Sequence, residues 1–203
     1  MHRRSSRLLA VAFAALGTGV TGLGISVAWA DGNAGFAAYE SGDYATAMKE
    51  FMPMAAGGHH AAQYAVGVMY LEGQGVPKNP AEAVKWLTPA AESGVAAAQD
   101  RLGHLYLMGD GVPQDVAQAA KWLQLAADRG VVTSQVRISG MYYQGVGVAQ
   151  DKVKAYLYAG LAAIKHSEEG EALVGYLQGQ LTPAELSQAE ALIVAWKPVV
   201  PQL

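Results

Sequence analysis

Between Ala97 and Gly109 the chain reads AAQDRLGHLYLMG, with Ala98, Leu102, Leu105 and Tyr106 apolar at helical spacing. Gly109 is placed to end this helix in a left-handed conformation. The Gly109–Pro113 segment reads as a turn whose glycines supply backbone angles other residues resist. Asp115 then caps a second helix, with Gln118 at the capping-box position. That helix turns Ala119, Ala120, Trp122, Leu123 and Ala126 toward its neighbours, and Gly130 stops it. The pattern recurs every 36 residues. Gln63, Gln99 and Gln135 match, as do Tyr70, Tyr106 and Tyr142, and the glycine pairs at 73/75, 109/111 and 145/147. Trp86, Trp122 and Tyr158 mark the second helices, which Asn79, Asp115 and Asp151 cap. Self-similarity at this period is the mark of a solenoid. Neither helix of a unit can bury its apolar face alone, so units must stack. Gly67, Gly103 and the small Ser139 sit inside first helices, which implies close contact with the paired helix.

The flanks depart from this pattern. Residues 31–58 read as a degenerate N-terminal repeat, with Asp43 capping a helix to about Ala56 and Ala47 and Phe51 facing inward. Residues 59–163 hold the three full repeats. Residues 164–203 read as capping helices: one over Glu168–Gln178, then one started by Thr182-Pro183-Ala184-Glu185 and running to about Trp196. Leu186, Ala189, Leu192 and Trp196 are predicted to face the array, and no terminal glycine closes the third repeat.

Residues 1–30 read as a secretory signal. Arg3, Arg4 and Arg7 precede an uncharged apolar run, and Ala28-Trp29-Ala30 fits a cleavage site before Asp31. The alternative is an uncleaved anchor, since about 20 apolar residues can span a bilayer. Gly17, Gly19, Gly22 and Gly24 weaken that alternative. After cleavage no membrane insertion is expected, and the protein is periplasmic or secreted. The chain has no cysteine, which excludes lipid anchoring at a cleavage-site cysteine, disulfides and thiolate metal sites. Net charge is −3 for the chain and −6 once three arginines leave with the signal, which argues against nucleic acid as a partner.

The repeated motif Ala-x-x-x-Leu-Gly-x-x-Tyr-x-x-Gly-x-Gly-Val, followed by a capping Asp or Asn, Ala, Trp and Ala-Ala-x-x-Gly, resembles the Sel1-like repeat, a relative of the tetratricopeptide repeat with a longer turn. Residues 97–130 carry nearly every marked position; 61–94 carry Val66 and Asn79 as replacements; 133–163 carry Ile138-Ser139 and Tyr158. The resemblance implies an all-α fold, a right-handed α/α superhelical solenoid. It implies a monomeric, non-enzymatic adaptor or scaffold whose partner is another envelope protein or a peptide segment. It brings no shared catalytic site, cofactor or metal. The alternatives are a peptidoglycan or outer-membrane scaffold and an exported hydrolase of the β-lactamase type. The second lacks support, because the chain has neither cysteine pairs nor Ser-x-x-Lys.

Chemical motifs are sparse. The Gly-x-Gly pieces follow helices, whereas a phosphate loop follows a strand. His59 and His60 are adjacent and point about 100° apart on a helix, so they do not chelate together. Asp100 and His104 are an i, i+4 pair with Ser134 and Ser139 in the next unit, yet no strained elbow or oxyanion motif accompanies them. The stronger signal is the stripe that does not repeat: Tyr64, Val68, Glu72, then Asp100, His104, Met108, then Val136, Gly140, Gln144, flanked by Arg101, Arg137 and Tyr143. First helices line the groove of related solenoids. The expected partner-binding residues are therefore Tyr64, Val68, Glu72, Asp100, Arg101, His104, Met108, Arg137, Tyr143 and Gln144, holding an extended or helical segment.

Overall fold

The computed structural model describes residues 26–200, with side chains from residue 34. The expected signal therefore lies, apart from its last five residues, outside the described residues. Ten helices and no strand are found among the described residues: α1 (Ser26–Ser41), α2 (Tyr44–Ala56), α3 (His60–Glu72), α4 (Pro80–Glu92), α5 (Ala96–Met108), α6 (Val116–Asp128), α7 (Val132–Gln144), α8 (Lys152–Ile164), α9 (Glu168–Gln178) and α10 (Pro183–Ala195). None is long and apolar enough to cross a membrane. The backbone of α1 continues through the expected cleavage point after Ala30. The chain forms two compact units that divide within α5, between Ala98 and Gln99.

The second helices hold the period more strictly than the sequence motif suggests. α2, α4, α6 and α8 are each 13 residues long and start 36 residues apart. Each is capped by a side-chain oxygen: Asp43 accepts from Thr46, Asn79 from Glu82, Asp115 from Ala117 and Gln118, and Asp151 from Lys154. Each also ends alike, with His59, Val95, Val131 and Ser167 donating their amides to the carbonyls of Met54, Ala90, Ala126 and Ala162. The residue before each of these donors is left-handed. Gly58, Gly94 and Gly130 fill it in the first three, and His166 takes φ 59° in the fourth. The third repeat thus keeps the closing backbone shape although its sequence lacks the glycine. Strain at that residue replaces glycine's freedom.

In the first unit α1 packs on α2, α2 on α3, and α3 on α4. A Cβ on Gly67 would stand 2.6 Å from Leu87 of α4, so only glycine lets the pair approach this closely. Gln63 is buried and donates to the Ala55 carbonyl of α2, joining successive helix pairs through a backbone acceptor. In the second unit the same devices recur. Gly103 faces Leu123 of α6 at the same 2.6 Å, and Gln135 donates to the Ala127 carbonyl. Ser139 fills the glycine position opposite α8, and its hydroxyl donates to the Ala155 carbonyl at 2.7 Å. Gly147 of the third turn lies so close to the Val116 carbonyl that a Cβ there would overlap it.

The core of the second unit runs through Leu123, Ile138, Tyr142, Ala155, Tyr158, Leu161 and Leu177. Tyr158 stands where Trp86 and Trp122 stood. Its ring stacks on Tyr142 at 5.9 Å, and its hydroxyl donates to Asp128 at 2.7 Å. Burial first, then the neighbouring carboxylate, raises its pKa strongly. α9 and α10 both pack on α8. The capping box of Thr182 and Glu185 forms as the sequence predicts. One orientation differs from expectation. Leu186, Ala189, Ile193 and Trp196 face the core, whereas Leu192 is 40% exposed. Ile193 fits against Gly160 of α8, and this contact sets the rotation of α10. Beyond Trp196 the chain turns back, and the Val199 amide donates to the Asp128 carbonyl.

Candidate functional site

The ten expected partner-binding residues divide between the units, and each unit treats its share differently. In the first unit Tyr64 and Val68 of α3 are 3% and 2% exposed, so they are core and not groove. Tyr39 of α1 is itself buried, lies within electrostatic reach of Tyr64 and Glu72, and donates its hydroxyl to Gln74 at 2.9 Å. Burial pushes the Tyr39 pKa up to about 12. Only Glu72, at the end of α3, stays exposed. The period does not reveal this burial, because the equivalent positions Asp100 and His104 are half-buried and exposed.

In the second unit the stripe is open. His104, Met108 and Gln144 are exposed, Met108 at 58%, while Arg101, Arg137 and Tyr143 are half-buried. Asp100 is drawn inward. Its Oδ1 accepts from Ser134 Oγ at 2.6 Å, Thr133 Oγ1 at 3.0 Å and Arg137 Nη1 at 3.0 Å, tying α5 to the first turns of α7. Charge-assisted bonds to a half-buried carboxylate are among the stronger polar links. Arg101 makes no ion pair among the described residues. Partial burial lowers the His104 pKa, the Arg137 guanidinium lowers it further, and Asp100 only partly opposes them.

Further along the same face, Tyr143 meets a residue that the sequence reading missed. Tyr176 of α9 lies edge-on to it at 5.5 Å, with the two hydroxyls 2.9 Å apart. Tyr176 is 36 residues beyond Gly140 and 72 beyond His104, so it is the next member of the stripe. Advancing the period once more, past the point where the motif fades, would have found it. Gly140 lies between them in register, and a Cβ there would meet nothing within 4 Å.

Catalytic geometry is not assembled from these groups. Ser134 donates directly to Asp100 and Ser139 to a carbonyl, so neither hydroxyl is directed at His104. No cluster of three metal-ligating residues occurs among the described residues. A shallow depression of about 380 Å³ lies apart from the stripe, lined by Ala117, Lys121, Gln124, Leu125, Asp128, Gly147 and Val148.

The helix pairs and their glycine turns coincide with a known family model. The Sel1 repeat model matches residues 60–95, 96–131 and 132–166, together just over half of the chain. The chain belongs to the Sel1 repeat family. Its all-α fold is that of a Sel1 α/α solenoid, and Sel1 repeats are generally protein-interaction scaffolds. Among solved structures it is similar to a Sel1 repeat protein from Oxalobacter formigenes, at 31% identity and TM-score 0.66, covering 70% of this chain and 58% of that one. It is also similar to a protective antigen present in uropathogenic Escherichia coli strains displaying an SLR fold, at 28% identity and TM-score 0.55. That match covers 74% of this chain and 40% of the antigen. The chain thus spans less than two thirds of either relative. No curated protein sequence matches it.

Proposed function

We propose that this Sel1 protein is an exported, monomeric, non-enzymatic adaptor of the bacterial envelope, which holds a segment of another envelope protein on the open face of α5 and α7. The exposed stripe of His104, Met108 and Gln144 carries this reading. The positions that build the repeat are buried and matched to their neighbours, whereas these side chains make no contribution to the core. The basic start, the apolar run and Ala28-Trp29-Ala30 support export. Direct bonding of Ser134 to Asp100 supports a scaffold over a hydrolase.

The test is cross-linking in whole cells followed by mass spectrometry, comparing wild type with Arg101→Glu, His104→Ala, Tyr143→Ala combined in one protein. Folding of the variant is checked by circular dichroism. The expected result is loss of the wild-type partners. A folded variant that retains every partner would place the interaction elsewhere.

A further inference from the structure

The centre of the open α7 face is Gly140. Thr133, Val136, Arg137, Tyr143 and Gln144 surround it at helical spacing. Since a Cβ at Gly140 would meet nothing, the floor of this face is bare backbone with side chains around it. Toward α5 stand His104, Arg101 and Arg137. Toward α9 stands the Tyr143–Tyr176 pair.

The hydrogen-bonding character of the rim is that of a donor. Among the described residues Arg101 makes no ion pair, and Arg137 uses one nitrogen on Asp100. In the tyrosine pair one hydroxyl donates to the other, which leaves the acceptor's own proton to be donated outward. Asp100, the nearest carboxylate, already accepts three bonds on one oxygen. Two arginines and an outward hydroxyl proton at the rim complement carboxylates.

The first unit offers a comparison: there Tyr39 of α1, itself buried, stands within electrostatic reach of Tyr64 and Glu72 of α3 and donates its hydroxyl to Gln74. We infer that the slot over Gly140 receives an acidic helical segment of a partner protein, which inserts one aromatic side chain between the His104 side and the Tyr143–Tyr176 pair. This rests on the adaptor reading above and specifies what the adaptor holds.

The test is a fluorescence-polarisation titration of the full chain with a labelled alanine-based helical peptide bearing one tyrosine among glutamates. Two further peptides carry alanine for the tyrosine, or lysine for the glutamates. Wild type is expected to bind the first peptide saturably and the others about tenfold or more weakly, a difference of about 1.4 kcal/mol per tenfold. Gly140→Trp fills the slot from an uncrowded position and is expected to weaken the first peptide by a similar factor. Gly140→Ala, which adds one methyl group and leaves the fold unchanged, is expected to weaken it less. Absence of saturable binding, equal binding of the lysine peptide, or undiminished binding by both Gly140 variants overturns the slot. If whole-cell partners are lost in the Arg101, His104, Tyr143 variant but kept in Gly140→Trp, the slot falls and the adaptor reading stands.

Discussion

The stripe of α3 and the stripes of α5 and α7 occupy the same register of the repeat, yet one is core and the others are surface. Val68 is buried, whereas His104, 36 residues further along, faces solvent; Tyr64 is buried, whereas Asp100, its equivalent, is half-exposed. The repeat does not itself decide between these fates. In the first unit Tyr39 of α1 stands within electrostatic reach of Tyr64 and Glu72 and donates to Gln74. The same register position can therefore be core in one repeat and surface in the next.

The largest expected effect separates the two fates directly. Tyr64→Ala is expected to destabilise the protein by about 3–5 kcal/mol, as for other buried aromatic truncations. Met108→Ala is expected to stay within about 0.5 kcal/mol of wild type, as is usual at the surface. Urea unfolding of both variants checks this, and similar losses would erase the distinction.

The next contrast compares two glycines inside first helices. At Gly103 a Cβ would press on buried Leu123, so Gly103→Ala is expected to cost about 1–3 kcal/mol through overpacking. At Gly140 there is open space, and Gly140→Ala is expected to gain about 1 kcal/mol from helix propensity. Opposite shifts in melting temperature are the signature.

The smallest effect concerns Tyr39 of α1. Tyr39→Phe leaves Gln74 Oε1 without its donor and is expected to cost about 1 kcal/mol. The Tyr39 pKa is raised from 10.0 to about 12, so the folded state holds this proton more tightly than the unfolded state. The associated stability is complete below pH 10 and is lost as pH rises from 10 to 12. The phenylalanine variant should show a flatter alkaline limb than wild type when melting is followed across that range.

Much of the fold was legible because it depends on local chemistry that recurs. The caps at Asn79, Asp115 and Asp151 and the left-handed Gly73, Gly109 and Gly145 each satisfy a backbone need within a few residues. What was hidden depends on contacts between distant residues, or on shape without its usual residue. His166 adopts the glycine conformation without being glycine. Ile193 and not Leu192 turns inward, because α10 leaves the period and its rotation is set by Gly160. Of the site, the stripe in α5 and α7 was legible from its failure to repeat. The burial of Tyr64 and Val68 was not, because the same register positions in the next repeat, Asp100 and His104, are polar and more exposed. Tyr176 escaped notice because α9 keeps the register after losing the glycine turn and the tryptophan that advertise it.

The return of the last residues to Asp128 has a mechanical consequence. The chain's C-terminal stretch is fastened by the Val199 amide to the end of α6, three helices upstream of α9, while Trp196 rests against Gly130. Tension applied at the C-terminus is therefore carried first by this splice and not by α10. Asp128 receives that load on its backbone while its side chain holds Tyr158. One residue thus joins the tether to the stacked tyrosines.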